Sequence, residues 1–343
     1  MQHEIKEKGR LLDKNGSLRE AGFARSLLLE YSREDIKSPS FLIKEWDYYL
    51  IHNDDFGLAL TVADNSYMSL ISVSFLDFKE PFSHTISPIS LFSMGKLNLP
   101  RSSAFGVTEG KNKSSTIRFE VKDGLRKLYC HMDRFKDGMP LNAEICLSDE
   151  PCESMVIATP FENKKRAFYY NQKIIGMKAQ GKVSFGGNEY IFSPEDSFGL
   201  LDWGRGVWTY KNTWYWGAAQ GLIDGEPFGL NLGYGFGDTC AASENMIFYK
   251  GRAHKLDRIS FGIPRKNSMD DFMSNWKISD NEGRLNLDFV PILDRAAKTD
   301  FLLLCSDQHQ VFGKFSGSAV LDDGTKIEIK DLLGFAEKVY NKW

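Results

Sequence analysis

Between Phe41 and Ile329 the chain is written as short aromatic and aliphatic runs, each closed by an Asp, Asn, Gly or Pro signal, with no long helical period between them. Such runs fold as strands, and many short strands at near-regular spacing close into a sandwich or barrel. Phe41 to Asp64 reads as a hairpin about His52-Asn53-Asp54-Asp55, with Tyr67 to Phe78 as the next strand. Further strands are expected at Ser115 to Val121, Leu125 to Met132 and Leu141 to Leu147, and Gly186-Gly187-Asn188 turns Val183–Phe185 back onto Tyr190–Phe192. Later candidates are Met246 to Lys250, Ile259 to Ile263, Trp276 to Ser279, Leu285 to Val290 and a hairpin from Gly317 to Ile329. Aromatic residues at 13%, with 25 Phe and 13 Tyr, favour this class because flat side chains suit a pleated surface.

Two short helices are expected at the ends. Ser17 and Glu20 have capping-box spacing, followed by Leu28 and Leu29. Near the end, Leu332, Phe335, Ala336, Val339 and Tyr340 share one helical face. The expected fold is all-β, two tandem barrel or sandwich lobes with short terminal helices: a strap over 1–40, a lobe over 41–180 and a second lobe over 181–343.

An internal echo supports two lobes. Trp46 opens a strand, an acidic turn follows, and the return begins Phe56-Gly57-Leu58-Ala59-Leu60. Later, Trp214 and Trp216 open a strand, Ile223 to Pro227 turn, and the return begins Phe228-Gly229-Leu230-Asn231-Leu232. A shared Phe-Gly-Leu-x-Leu after an aromatic strand points to related units. Unrelated hairpins also share alternation and turn chemistry, so coincidence is the competing explanation.

Charge and motif content exclude several function classes. A net charge of -3, from 43 basic and 46 acidic residues, creates no field that would gather nucleic acid. The first residues are charged with no apolar stretch, and no apolar run is long enough to span a bilayer, so a cytoplasmic protein is expected. A peripheral membrane contact stays open. Five cysteines without a CxxC pair imply reduced thiols, and scattered histidines without ligand spacing imply no metal site. His309, in Ser306-Asp307-Gln308-His309-Gln310, is either an acid/base partner or, as a lone His beside Gln and Asp more often is, a surface or hydrogen-bonded residue. With no P-loop, GxSxG elbow or placed GxGxxG, no cofactor is expected.

The candidate site is the stretch Ser193 to Gly235, which holds Trp203, Trp208, Trp214 and Trp216, four of the seven tryptophans. Asp202 is the candidate catalytic group: a carboxyl walled by indoles is poorly solvated when charged and would hold a proton. Arg205 is its candidate partner, and the alternative is that the two form a structural ion pair. Trp203, Trp208, Tyr210, Trp214 and Trp216 are candidate walls for an apolar ligand or a cation, or else core packing. Gln220 and Asn231 are polar positions in apolar strands, and Asn231 points either to solvent or into a lumen. Glu195 and Asp196 follow Pro194 in a solvated loop, and Glu195 or Glu244 would supply a second acid if the ligand were a carbohydrate.

These residues also carry a family resemblance. Lys44-Glu45-Trp46-Asp47-Tyr48, Leu201-Asp202-Trp203-Gly204-Arg205-Gly206-Val207-Trp208 and Glu337 to Trp343 resemble a bacterial family grouped with the lipocalin-like hydroxyneurosporene synthases (carotenoid 1,2-hydratases) and tocopherol cyclases. The link to the hydratases rests on Asp202 before Trp203-Gly204, while Leu200 stands where they have a Tyr and their intervening polar pair is missing. The resemblance implies two lipocalin-like lobes with a ligand cavity at a lobe mouth or between lobes. The expected function is acid-catalysed hydration, cyclisation or isomerisation of an apolar isoprenoid- or lipid-like molecule without a cofactor. The alternatives are a carrier of such a molecule and a carbohydrate-processing enzyme. Oligomeric state is not readable.

Overall fold

The computed structural model describes residues 2–301 and 304–342, and the all-β expectation holds. Among the described residues the helical content is two short 3-10 turns, Arg33–Asp35 and Ser40–Leu42. Ten strands position the site: β1 (Ile43–His52), β2 (Phe56–Asp64), β3 (Met68–Asp77), β4 (Lys164–Phe185), β5 (Phe198–Val207), β6 (Lys211–Ile223), β7 (Glu226–Tyr234), β8 (Leu285–Phe301), β9 (Leu304–Val320) and β10 (Lys326–Lys342). The first sheet orders them β3-β2-β1-β5-β4 and continues through Met139–Ser148, Leu125–Lys136 and Ser115–Lys122. The second runs β7-β6-β10-β9-β8 and continues to Trp276–Asp280 and Ile259–Gly262.

Each sheet is antiparallel along this path, and its turns follow from local chemistry. Asn53 Oδ1 accepts the N–H groups of Asp55 and Phe56, both at 3.0 Å, which closes the β1–β2 turn without a glycine. All ten residues of β5 are buried, since it lies between β1 and β4 with both faces covered. The second sheet keeps a core of its own on one face, around Leu230, Trp276, Phe289 and Phe315. Its other face, with Trp216, Phe312 and Phe335, packs into the core of the first.

The two terminal helices are not formed. Around Ser17, Asp13 Oδ1 accepts the N–H groups of Asn15 and Ser17, Gly16 takes φ +77, and Leu12 bridges Leu18 as a tight reversal. A short acidic side chain has outcompeted the helical hydrogen bonds. The closing segment is β10, paired with β6 on one side and β9 on the other. Both of its faces are largely covered, so apolar residues stand on each and the period of two is masked. Trp343, the last residue of the expected motif, lies outside the described residues.

The expected division at 180/181 falls inside β4, and the passage from one sheet to the other comes at 208–210, between β5 and β6. β8 runs far beyond Val290: past a register shift at Pro291 it pairs with β9 as far as Phe301, and residues 296–300 are exposed, so their polar composition hid the strand. Residues 2–5 reach across to the second half. His3 N–H donates to Ala241 O at 2.8 Å, Gln2 Nε2 donates to Leu256 O at 2.9 Å, and Ser243 N–H donates to Gln2 Oε1 at 2.7 Å.

Candidate active site

A cavity of about 350 Å³ lies between the faces that the two sheets turn towards each other. Its walls follow from register. In the first sheet one cross-strand row runs Ser72 (β3), Thr61 (β2), Tyr48 (β1), Asp202 (β5), Lys173 (β4). In the second, a row runs Gly233 (β7), Trp216 (β6), Glu337 (β10), Gln310 (β9), Arg295 (β8). Directly opposed residues share a face, so each row presents its side chains together. Every member but Gly233 lines the cavity.

The two rows are equivalent positions. Ala59 opposes Leu50 and Asn231 opposes Ala218, which aligns the two Phe-Gly-Leu-x-Leu returns and sets Trp46 with Trp214, and Tyr48 with Trp216. Asp202, beside Tyr48, is then the counterpart of Glu337, beside Trp216. The sequence echo is thus a matched pair of hairpins facing each other, and Tyr48 and Trp216 meet edge to face at 6.1 Å. Trp46, Trp208, Trp214 and Phe236 complete an aromatic wall, with Trp208 edge-on to Trp46 at 5.2 Å and to Phe236 at 4.7 Å. Gly204, opposite Trp46, is required there: a Cβ would meet the indole at 1.9 Å.

The two carboxylates differ in company. Asp202 Oδ2 lies 2.9 Å from Lys173 Nζ and Oδ1 accepts Asn171 Nδ2 at 2.6 Å. Lys173 Nζ sits 3.7 Å over the Trp216 ring, a cation–π contact in a desolvated place. Glu337 instead accepts two neutral donors, Trp214 Nε1 at 3.1 Å and Gln310 Nε2 at 3.0 Å. Burial pushes its carboxyl up to about 7, against the opposing pull of the Trp214 N–H, Lys173 and Arg295. Burial also raises Glu244, which lines the same cavity with Asn231 Nδ2 donating to its backbone carbonyl at 2.8 Å. Gly233 gives it room, since a Cβ there would meet Glu244 Oε1 at 2.4 Å. The Tyr48 phenol, held up at about 12 by burial, and Trp208 Nε1 have no partner among the described residues.

Of the expected site residues, Asp202, Trp208, Trp214 and Trp216 line the cavity. Arg205 does not join Asp202. Three residues apart on a strand, the two side chains point to opposite faces, and Arg205 pairs with Asp47 at 3.0 Å and donates to Pro100 O at 2.8 Å. Trp203 shares that far face, buried edge-on against Tyr31 and Tyr170. Tyr210 is 48% exposed on the sheet-to-sheet passage. Gln220 is buried with its Oε1 accepting Gly176 N–H at 2.9 Å. Asn231 is buried on the intersheet side rather than solvent-facing, and its Oδ1 accepts Trp216 Nε1 at 2.8 Å. His309 is stacked on Phe272 and bonded to Asp294, with Gln308 and Gln310 beside it turned to the cavity instead.

Sequence reasoning missed Lys173, Gln310, Arg295 and Glu337 as site residues. For Glu337 a signal existed: Phe335, Glu337, Val339 and Asn341 alternate as a strand's inward set. Among the described residues no group of three or more His, Cys, Asp or Glu is close enough to hold a metal, and no helix is long and apolar enough to cross a membrane. All five cysteines are free.

A family model described as "Domain of unknown function (DUF2804)" matches residues 2–343. A comparison with curated proteins finds no similar sequence. Among solved structures, kievitone hydratase from Nectria haematococca superposes with a TM-score of 0.48 at 10% identity, covering 98% of this chain and 97% of its own. CghA superposes with a TM-score of 0.47 at 6% identity, covering 88% and 87%. Identities this low and superpositions this loose show no shared activity.

Proposed function

We propose that this chain, which belongs to the DUF2804 family, is an enzyme that moves protons on an apolar, isoprenoid- or lipid-like small molecule bound between its two sheets. The observation that carries the reading is the pair Asp202 and Glu337. They occupy equivalent positions facing one cavity, yet one is ion-paired to Lys173 and the other is surrounded by neutral donors with its carboxyl raised to about 7. Carboxyls placed in contrasting environments divide the labour of acid and base. Glu337 is the general acid and Asp202 the proton acceptor, reversing the role that the sequence suggested for Asp202.

An acid of this strength protonates an enol, a dienol or an electron-rich conjugated alkene more readily than an isolated double bond. Glu337 gives its proton to a substrate carbon, and positive charge developing next to it is stabilised by the faces of Trp214 and Trp216. Loss of a different proton to Asp202 yields a shifted double bond. Attack by water, with its proton passing to Asp202, yields a hydrated product. A relation to carotenoid hydratases is part of this reading only through Asp202-Trp203-Gly204.

The test needs no prior substrate. Apolar extracts of the host are incubated with protein in deuterium oxide and surveyed by mass spectrometry. Wild-type protein is expected to deuterate or hydrate a component that Glu337→Gln leaves untouched. Equal spectra from the two proteins would overturn the assignment. A second reading, a carrier, is favoured by the Asp202 carboxylate, whose two oxygens already have Lys173 and Asn171 as partners. It predicts a stoichiometric apolar passenger in native mass spectra of both proteins and turnover by neither.

A further inference from the structure

The cavity holds two cations, and they are not treated alike. Lys173 has Asp202 at 2.9 Å. Arg295, half-buried at the opposite end of its row, forms no ion pair among the described residues. It is nonetheless held in place, because Nη1 donates to Ser74 Oγ across the intersheet space at 2.8 Å. Ser74 is buried and shares a hydrogen bond with Thr85 Oγ1 at 2.8 Å, and one step away Ser72 Oγ and Ser87 Oγ share another at 2.7 Å. Arg295, Ser72, Thr85 and Ser87 line one end of the cavity, next to the exposed Ala296 and Ala297. The tryptophans line the other.

A guanidinium fixed by a buried hydroxyl, partly desolvated and lacking a counter-charge is arranged for an anion that arrives with the ligand. In each of the pairs Ser72–Ser87 and Ser74–Thr85 one hydroxyl hydrogen is spent on the partner, and the other is left to donate to the same anion. Glu337, the cavity carboxyl that feels the Arg295 charge, is kept toward its neutral form by burial.

We infer that the ligand is a monoanionic amphipathic acid, its carboxylate or similar anion held by Arg295, by Thr85 and by one hydroxyl of the Ser72–Ser87 pair, its apolar body laid among the tryptophans. The inference rests on the intersheet cavity being the active site and adds the class of molecule that enters it.

Three probes with one tail and different heads test this: decanoate, decanol and decyltrimethylammonium, each titrated into the full chain and followed by tryptophan fluorescence. Wild-type protein is expected to bind decanoate about tenfold more tightly than decanol, the equivalent of one charge-assisted contact, and the cation most weakly. Arg295→Gln brings decanoate down to decanol, Arg295→Lys retains the preference, and Trp214→Ala weakens all three. Decanoate and decanol binding equally to wild type would overturn the anion inference and leave the cavity reading standing. Binding indifferent to Trp214→Ala would overturn the cavity reading itself. If Arg295→Gln and Arg295→Lys weaken all probes alike, Arg295 only ties the sheets through Ser74, and the inference fails.

Discussion

Tyr48 and Trp216 hold the same register position in two facing sheets, and the carboxylates beside them show how one scaffold makes two kinds of group. In the first sheet the neighbour of Asp202 across the strand is Lys173, and in the second the neighbour of Glu337 is Gln310. A cation directly beside one carboxylate and an amide directly beside the other turn a repeated position into an ion pair and a protonatable acid. The same contrast runs through the aromatic member: Trp216 Nε1 is bonded to Asn231, whereas the Tyr48 hydroxyl is buried without a partner. Geometry is shared between the halves, and chemistry is set by what stands next door.

The comparison is broken most severely at Asp202. Asp202→Asn leaves Lys173 buried opposite a neutral group and is expected to cost about 3–5 kcal/mol, read as a fall in the denaturant midpoint. Glu337→Gln replaces an acid that burial keeps partly protonated near neutral pH by a neutral isostere, so it is expected to leave the fold intact while lowering turnover by about 100-fold or more. Equal destabilisation by the two variants would erase the distinction between the rows.

Stability against pH sharpens the difference. The folded Glu337 pKa, about 7, lies above the ordinary glutamate value of 4.5, so the folded chain holds a proton that the unfolded chain releases. The native state therefore loses stability as pH rises from 4.5 to 7, by about 3 kcal/mol for a shift of this size. Glu337→Gln removes that slope, so the variant should match wild type below pH 4.5 and exceed it above pH 7 in chemical denaturation.

Smaller effects follow at the aromatic positions. Asn231→Leu strips the acceptor from Trp216 Nε1 and is expected to cost about 1–3 kcal/mol. Tyr48→Phe removes a hydroxyl that has no partner and is expected to change stability by less than about 1 kcal/mol, or to raise it. A large loss for Tyr48→Phe would show that a bound water or ligand group normally satisfies the phenol.

Much of this was legible in the residues. Alternation and turn signals located most strands, and Phe-Gly-Leu-x-Leu exposed the repeated hairpin because a return strand packed on both faces tolerates few substitutes. Asp202 and three tryptophans were singled out and do line the cavity. Arg205 stands near Asp202 in sequence but not in space, because on a strand a residue three places on looks the other way. Glu337 was passed over because β10 is covered on both faces, and its apolar positions then satisfy a helical period as well as a strand's. Lys173 and Arg295 reach the cavity only through pairings of β4 and β8 with distant strands, which no local pattern records.

The sheets occupy consecutive lengths of chain, and the walls of the cavity come from both. A nascent chain that has emerged only through β5 possesses Asp202 and Lys173 but has no Trp214, Trp216 or Glu337 to face them. β10 leaves the ribosome after every other wall strand, while Gln2 and His3 wait to be fastened to residues 241–256. Synthesis order thus makes the pocket a late product of assembly, and an intermediate stalled before β10 would expose an ion pair and a bank of indoles of the kind that chaperones recognise.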